Sequence, residues 1–298
     1  GKSISGPFTV PSGIVTTQPS IIQRIAEDIP EIGVITTKSI GPVPRSGNRE
    51  PIYSQYAPGA FVNAVGLTNP GMEQAAKGLA QLQLPDDRFL LVSIFGGSVD
   101  EFVEVARLLA PYADGLELNL SCPHAKGYGM AMGQDPELVA EIVSAVKNAV
   151  SIPVVPKLTP NTDRIGEIAT AAAEAGADAI CAINTVGPGA HTAHGHDVLS
   201  NGVGGLSGKG VLAVAQKCIR DIRAVTDLPI IGCGGVSSID DVTAMRSAGA
   251  EVIGVGSALT GMTTEEMKAY FADLSATVKP AHSDLAEARV QYDLDMTF

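Results

Sequence analysis

The stretch that decides the fold is Ile152–Asn184, which reads IPVVPKLTPNTDRIGEIATAAAEAGADAICAIN. Its two ends, Ile152–Lys157 and Ala179–Asn184, are short apolar runs of the kind that forms buried strands. Between them, Ile165–Ala177 has an apolar face at helical spacing and closes on a glycine, which is typical of a helix end. The stretch therefore predicts a strand, a helix and a second strand in succession.

The same alternation extends along the rest of the chain. Helical patterns occur at Val99–Leu109 and Pro136–Val143, and Asp135 precedes the second as a candidate N-cap. Eight strands alternating with helices predict an α/β fold, a (β/α)8 TIM barrel, with a doubly wound parallel sheet as the structural alternative. The other six short apolar runs that we predict to be strands are Phe8–Ser12, Gly33–Thr37, Phe89–Ser93, Gly115–Asn119, Leu228–Gly232 and Val252–Gly256.

Composition narrows the class of protein. The 298 residues carry 20 Lys+Arg against 32 Asp+Glu, a formal charge of −12, which argues against nucleic acid and anionic membranes as partners. Hydrophobic residues make up 45% of the chain, enough to build a core.

We predict one domain over residues 1–298, with a C-terminal extension at about 280–298. No apolar run reaches the ~20 residues of a membrane helix, and the start at Gly1 lacks a signal-peptide pattern, so a cytoplasmic location is expected.

Polar residues and glycines recur where the predicted strands end. A single polar residue there is equally well explained as the exit of a strand. In a barrel, however, all these ends meet on one face, where active sites are built, so the set predicts a ligand cavity. Its members are Ser12, Lys38, Ser93, Asn119, Lys157, Asn184, Gly234–Gly235 and Gly256–Ser257.

Three glycine-rich segments late in the chain predict phosphate binding. Gly204–Gly208, Gly232–Val236 and Gly254–Ser257 offer backbone N–H groups that no Cβ atom shields. The second and third follow the last two predicted strands, where phosphate sites of this barrel are usually found. The alternative is that these glycines only form turns.

Two residue types at the strand ends carry reactive or charged groups. Lys157, like Lys38, would be a buried cation, which is stable only beside an anion or an electron-rich ring such as a flavin, or in a structural ion pair. Cys122 follows a strand and leads into a glycine-rich loop, where a thiolate could act as a base.

The four cysteines form no C-x-x-C pair, and the spacing of His191, His194 and His196 matches no zinc motif, so no metal site is predicted.

Ordered motifs along the chain carry a resemblance to a known family. The chain resembles the FMN-dependent dihydroorotate dehydrogenases, and its lack of a membrane-associating segment and its cysteine at position 122 are similar to class 1. The Lys157 and Gly208 motifs look closest to the 1B type. The motifs are Thr37–Ser39, Asn63–Leu67, Asn119–Pro123, Pro156–Asn161, Ile183–Thr185, Gly204–Gly208 and Ile231–Gly235.

The resemblance implies a mechanism and a set of site residues. Cys122 would take a proton from C5 of dihydroorotate while hydride leaves C6 for FMN at the C-terminal face of the barrel. A separate FAD and [2Fe–2S] subunit would pass the electrons to NAD, in a homodimer or heterotetramer. The implied FMN-binding residues are Ser12, Lys38, Ser39, Ser93, Asn119, Lys157, Ile183, Gly208, Gly234, Gly235, Gly256 and Ser257. The implied substrate-binding residues are Lys38, Asn63, Ala64, Val65, Gly66, Leu67, Asn119, Asn184 and Thr185.

Two departures from the family pattern leave an alternative substrate open. His124 stands where these enzymes usually have Asn, and Ser93 stands where the 1B type usually has Asn. Both, with Met132–Leu138, look like the pyrimidine-reducing domain of dihydropyrimidine dehydrogenase, which reduces uracil and thymine. The loop Asn63–Leu67 matches the one that receives the orotate carboxylate and favours dihydroorotate. Outside flavin chemistry, the alternatives are a barrel that uses Cys122 as a covalent nucleophile, similar to inosine monophosphate dehydrogenase, or a non-catalytic scaffold.

Overall fold

The structure is a computed structural model, and it describes residues 2–121 and 129–276. The strands of the described chain are two to six residues long. In chain order they are β1 (Phe8–Val10), β2 (Ile32–Thr36), β3 (Tyr53–Ala57), β4 (Ala60–Asn63), β5 (Phe89–Ile94), β6 (Gly115–Asn119), β7 (Val154–Leu158), β8 (Ile180–Ala182), β9 (Val186–Ala190), β10 (Thr192–Ala193), β11 (His196–Asp197), β12 (Val203–Gly208), β13 (Ile230–Cys233) and β14 (Val252–Gly254).

Eight of these strands close into a barrel. Its hydrogen-bonded order is β1-β14-β13-β8-β7-β6-β5-β2, and neighbouring strands run parallel. Each predicted strand forms one barrel strand, so the predicted (β/α)8 architecture is confirmed and the doubly wound sheet is excluded. The observed strands end slightly earlier than predicted in places, and Ser12 and Lys38 lie two residues beyond the ends of β1 and β2.

Eight α-helices of the described chain connect or follow the barrel strands. Ser98, Asp135 and Ser238 cap three of them by accepting backbone N–H bonds in the first turn, as expected for N-caps, and Asp135 is the predicted one. The helix predicted from Pro136 runs further than expected. The helices are α1 (Pro19–Asp28), α2 (Met72–Leu79), α3 (Val99–Leu109), α4 (Pro136–Ala149), α5 (Ile165–Glu174), α6 (Leu212–Arg223), α7 (Ile239–Ala248) and α8 (Thr264–Ala276).

Alternation along each strand separates two apolar layers. On β6, Leu116 and Leu118 face outward and belong to the large cluster between barrel and helices. The smaller cluster fills the barrel interior and includes Phe89, Val155 and Cys181. Successive side chains along a strand thus point alternately toward the helices and toward the barrel interior. Among the helices of the described part of the chain, none is long and apolar enough to cross a bilayer.

A second sheet lies outside the barrel, and the sequence did not predict it. The order is β3-β4-β12-β9, with antiparallel pairs throughout. Gly204–Gly208, which was interpreted as a phosphate-binding loop, lies in β12, where residues 205–208 pair with β4. That interpretation of Gly204–Ser207 is corrected: pairing with β4 and β9 already engages much of their backbone. The sequence carries no strand signal here because three of the six residues of β12 are glycines, so no alternation of side chains is visible.

Candidate active site

Three serines meet at the carboxyl ends of the barrel strands: Ser12 and Ser39 in the loops after β1 and β2, and Ser93 in β5. The Ser39 hydroxyl lies 2.9 Å from the Ser12 hydroxyl and 2.9 Å from the Ser93 hydroxyl. Ser39 and Ser93 are buried. Their contacts explain how Ser93 is accommodated here: its hydroxyl is hydrogen-bonded inside the barrel wall rather than exposed to solvent.

Two asparagine amides continue this chain of hydrogen bonds. Asn119 Nδ2 donates to Ser39 Oγ at 3.0 Å, and Asn119 Oδ1 accepts from Asn184 Nδ2 at 3.2 Å. Asn184 Oδ1 in turn accepts from the Thr185 backbone N–H at 2.9 Å. Each amide has two N–H donors, and within the described residues only one of each pair is used. The spare donors suit the carbonyl oxygens of a planar ring.

Asn161 holds the segment that follows Asn184. Its Nδ2 donates to the Thr185 carbonyl at 3.1 Å, and its Oδ1 accepts from the Gly187 N–H at 2.8 Å. Gln134 Nε2 donates to the Asn161 carbonyl. One amide therefore fixes both ends of a three-residue turn, and Gln134 connects that turn to the segment that precedes α4.

Lys157 lies inside the barrel beside a carboxylate. Its Nζ is 3.8 Å from Glu117 Oε2, and the side chains are 6% and 1% exposed. Burial by itself lowers the pKa of Lys157, but the charge of Glu117, helped by the nearby thiols of Cys181 and Cys233, outweighs burial and the pKa lies above its ordinary value. Lys157 is thus a buried ammonium whose charged form Glu117 favours.

Lys38 brings a second cation to the same place. Burial lowers the pKa of its ammonium, and repulsion from Lys157 lowers it further. Within residues 2–121 and 129–276, no carboxylate lies within ion-pair distance of Lys38. A Cβ added at Gly13 would lie 3.4 Å from Lys38 Nζ, so the glycine leaves room beside the ammonium. The site accordingly has an excess of positive charge.

The predicted glycines form a close junction of loops. Gly235 has φ +80°, and a Cβ there would lie 2.8 Å from the Leu212 nitrogen and 2.9 Å from the Gly208 carbonyl oxygen. Side-chain atoms of Ile183 similarly lie 3.1 Å from a Cβ added at Gly234. Only glycine fits Gly235 in this left-handed conformation. The structure therefore brings four predicted FMN-binding residues together.

The remaining predicted residues at this end are Gly256 and Ser257. Ser257 begins a short 3-10 helix, and its hydroxyl donates to Ser207 Oγ at 2.8 Å. This bond ties the end of β14 to β12 of the outer sheet. Gly256 lies beside Ile14 in the loop after β1. The loops after the first and last barrel strands thus lie together.

The segment predicted to receive a carboxylate is a strained loop at the end of β4. Asn63 Nδ2 donates to the Gly205 carbonyl at 3.3 Å, and the loop of Ala64, Val65, Gly66 and Leu67 follows. Gly66 and Leu67 have φ values of +79° and +58°. The loop is held by Asn48, which donates from its backbone to the Val65 carbonyl at 3.0 Å. In the described chain, no hydrogen bond joins Ala64–Leu67 to Asn119 or Asn184.

Some predicted features lie outside the described residues. Cys122, the candidate base, and His124 are among them, as is the extension at about 280–298. The three loop histidines lie on or beside a small hairpin of β10 and β11, where the His191 ring stacks on Tyr56 with centroids 4.0 Å apart. No group of three metal-ligating side chains occurs in the part of the chain that the structure describes.

Sequence analysis assigned no role to two residues that the structure places in the site. Glu117 carried a usable signal, because it lies in phase with the inward-facing Asn119 on a strand whose other residues face the helices. Asn161 lies within the motif Pro156–Asn161, but its partners Thr185 and Gly187 are distant in sequence. Nothing local to Asn161 identified its role.

Comparison with known proteins gives a consistent family. A family model described as dihydroorotate dehydrogenase matches residues 1–271. The chain is 42% identical over 263 residues to a protein of Pyrococcus horikoshii, covering 87% of this chain and 84% of that protein. It is 43% identical over 261 residues to a protein of Methanosarcina mazei (87% and 82% covered) and 42% identical over 262 residues to one of Methanocaldococcus jannaschii (86% and 84%). Each of the three is named dihydroorotate dehydrogenase B (NAD(+)), catalytic subunit.

Proposed function

Because the chain belongs to the dihydroorotate dehydrogenase family, we propose that it oxidises dihydroorotate to orotate in pyrimidine biosynthesis, with FMN as its cofactor. The observation that carries the proposal is the contact between Asn119 and Asn184, whose spare amide donors lie at the carboxyl ends of the barrel strands, as does Lys157 near the end of β7. Amide donors and ammonium groups suit a ring that bears carbonyl oxygens and a carboxylate. The motif resemblance is confirmed at the level of the family, and the uracil or thymine reductase alternative is not favoured by relatives with these names.

The residues of the site fit FMN. Two ammonium groups against one carboxylate leave an excess positive charge for an anionic or electron-rich group. Gly208 ends β12, Gly235 follows β13 and Gly256 follows β14, in the region where this barrel binds phosphate. Lys38, Lys157, Ser39 and these glycines would hold the cofactor. FMN supplies the hydride acceptor when it is bound.

Asn119, Asn184 and Thr185 would bind the pyrimidine ring, with the loop at Gly66 and Leu67 receiving its carboxylate. Asn119 is well oriented for this role, because its side chain is fixed by Ser39, by Asn184 and by the Ser121 N–H, which donates to Asn119 Oδ1 at 3.3 Å. A side chain that is already fixed loses little freedom when a ligand binds. The arrangement favours recognition by preorganisation.

Cys122 would remove the proton from C5 of the substrate. In the sequence it comes directly after Ser121 and three residues after Asn119, the last residue of β6. The C5 proton is acidic because C5 lies beside a carbonyl, and a base near neutral pKa removes such a proton efficiently. A cation beside the thiol would favour the thiolate form.

Electrons would leave through a second subunit. The relatives are named as catalytic subunits of NAD-dependent enzymes, which supports a partner that carries FAD and a [2Fe–2S] cluster and reduces NAD. Cluster binding needs several thiolates at one place, whereas Cys181, Cys218 and Cys233 are buried in the barrel and helix cores. We further propose that residues 1–298 form one domain of this assembly.

The test is anaerobic reduction of the purified, FMN-loaded protein by three separate substrates. Dihydroorotate, dihydrouracil and dihydrothymine are each mixed with the protein, and bleaching of the flavin absorbance is followed. We expect dihydroorotate alone to bleach the flavin. Bleaching only by the two substrates without a carboxylate contradicts the proposal and supports the reductase alternative, and a protein that binds no flavin contradicts both.

A further inference from the structure

Glu117 is a fully buried carboxylate in the wall of the barrel. It lies on β6 two residues before Asn119, pairs in register with Val155 of β7, and is 1% exposed. Its Oε2 is 3.8 Å from Lys157 Nζ, which is longer than a hydrogen bond, and its Oε1 has no hydrogen-bond partner within the described residues. A carboxylate in this position is expensive to bury, so its presence needs a reason beyond packing.

Lys157 is surrounded by groups from every neighbouring strand. Glu117 approaches from β6, Cys181 from β8 and Cys233 from β13, and Lys38 lies in the loop after β2. Of these, Glu117 is the one carboxylate in ion-pair contact with Lys157 in the described chain. Lys38 repels Lys157, and the Cys181 and Cys233 thiols favour the charged form of Lys157 less than Glu117 does. The charge on Lys157 therefore depends on Glu117.

We propose that Glu117 is a positioning residue that keeps the Lys157 ammonium charged at the cofactor site in both redox states of the flavin. The inference rests on the proposed function, since it assigns the flavin to the side of Lys157. A two-electron reduction adds negative charge beside Lys157. An ammonium that is already charged takes up no proton in response, whereas an amine that lost its proton after removal of Glu117 would gain one.

The experiment compares the pH dependence of the flavin midpoint potential in wild type and Glu117→Gln. Potentials are measured spectroelectrochemically with mediators, between pH 6.5 and pH 9, so that no pyrimidine substrate is involved. We expect Glu117→Gln to take up as much as one more proton per two electrons than wild type. A tenfold change in proton concentration then shifts its potential by about 30 mV more than that of wild type. Equal slopes in the two proteins overturn the proposal.

A matched control carboxylate lies at the other end of the barrel. Glu251 precedes β14 and pairs with Arg223 of α6 at 2.7 Å, so Glu251→Gln also removes the carboxylate charge from an ion pair, here at the amino ends of the strands. We expect Glu251→Gln to keep the wild-type slope, and Glu117→Asp to restore it because the charge is retained. A steeper slope in Glu251→Gln contradicts the proposal, since a remote charge would then have the same effect.

A second variant decides the case in which Glu117→Gln does not fold. In Glu117→Gln/Lys157→Met both charges are absent, so no uncompensated ammonium remains in the core. Folding of the double variant supports the proposal, because the cost of burying Lys157 without the carboxylate that keeps it charged is then the cause of the failure. Failure of both variants contradicts it, because packing of Glu117 would be responsible. A wild-type protein without flavin contradicts the proposed function instead.

Discussion

The two ends of the barrel treat buried charge in opposite ways. At the amino ends of the strands, three carboxylates each stand just before a strand, accept the N–H of a residue on the neighbouring strand and pair with a cation. Each carboxylate therefore satisfies a backbone N–H group of the neighbouring strand and also neutralises a cation. The sets are Asp114 with Leu90 N and Lys2 (both 2.8 Å), Asp178 with Val154 N (2.7 Å) and Lys147 (2.6 Å), and Glu251 with Ile230 N and Arg223 (both 2.7 Å).

At the carboxyl ends the charges are less well satisfied. Lys157 and Glu117 are 3.8 Å apart, and Lys38 has no carboxylate partner in the described chain. The ion pairs at the amino ends are partly exposed, with side-chain exposures of 26–32%, whereas Lys157 and Glu117 are almost wholly buried. The difference teaches that one end is arranged for stability and the other for a ligand, which must supply what is missing.

The largest expected effect is at the carboxyl ends, from Cys122→Ala. Removing the proposed base should slow flavin reduction by dihydroorotate by about 10²–10⁴-fold, the usual contribution of general base catalysis. FMN content should stay at the wild-type level. Anaerobic stopped-flow absorbance measures the rate. Cys218→Ala, on the outer helix α6, is the control and should reduce at the wild-type rate. Full activity in Cys122→Ala means that another group takes the proton.

At the amino ends, Asp178→Ala should affect stability and leave chemistry unchanged. The substitution leaves the Val154 N–H and the Lys147 ammonium without their partner. We expect the free energy of unfolding to fall by about 2 kcal/mol, since the lost hydrogen bonds involve a charged acceptor. Urea unfolding at pH 7 measures the change. The rate of flavin reduction should be unaltered, and a large loss of rate would show that the two ends are not independent.

The barrel was predictable from the sequence, and the outer sheet was not. Each barrel strand is a short apolar run with a helix or loop after it, so local pattern and global fold agree. The strands β9 and β12 read VGPGA and VGGLSG, and β3 is largely exposed, so none of them has the alternation that marks a half-buried strand. Their pairing depends on contacts far apart in sequence.

The candidate site, too, was only partly predictable from the sequence. Strand-end position identified Lys38, Asn119, Lys157 and Asn184, because topology alone brings strand ends together. Their hydrogen-bond order and the balance of charge follow from side-chain directions that no local pattern reveals. The role of Asn161 is an example, since its partners lie 24 and 26 residues away.

A smaller effect is expected from Asn161→Ala, within the carboxyl-end site. The variant loses both hydrogen bonds that fix Thr185 and Gly187, so the substrate must order this turn on binding. We expect KM for dihydroorotate to rise about tenfold, with kcat changed little, and orotate to bind correspondingly more weakly in a flavin difference titration. Asn201→Ala is the control, because its amide donates to Val203 O at an exposed position. An unchanged orotate affinity would refute the role of Asn161.

The smallest expected effect is a change in the free energy of unfolding whose sign should differ between the two ends of the barrel. Burial and Lys157 lower the pKa of Lys38 from its ordinary value of 10.5, so folding disfavours its charged form. Lys38→Met should raise the free energy of unfolding at pH 7 by about 1 kcal/mol while weakening orotate binding, as expected when stability is traded for function. The free-energy penalty for burying the charged form of Lys38 is full below its folded pKa and disappears as the pH rises to 10.5. The gain in stability from Lys38→Met should therefore shrink over that range.

Lys147→Met at the amino ends leaves Asp178 without its cation and should destabilise the protein at pH 7. Urea unfolding measures both variants, and the same sign for both would mean that the two ends hold charge in the same way.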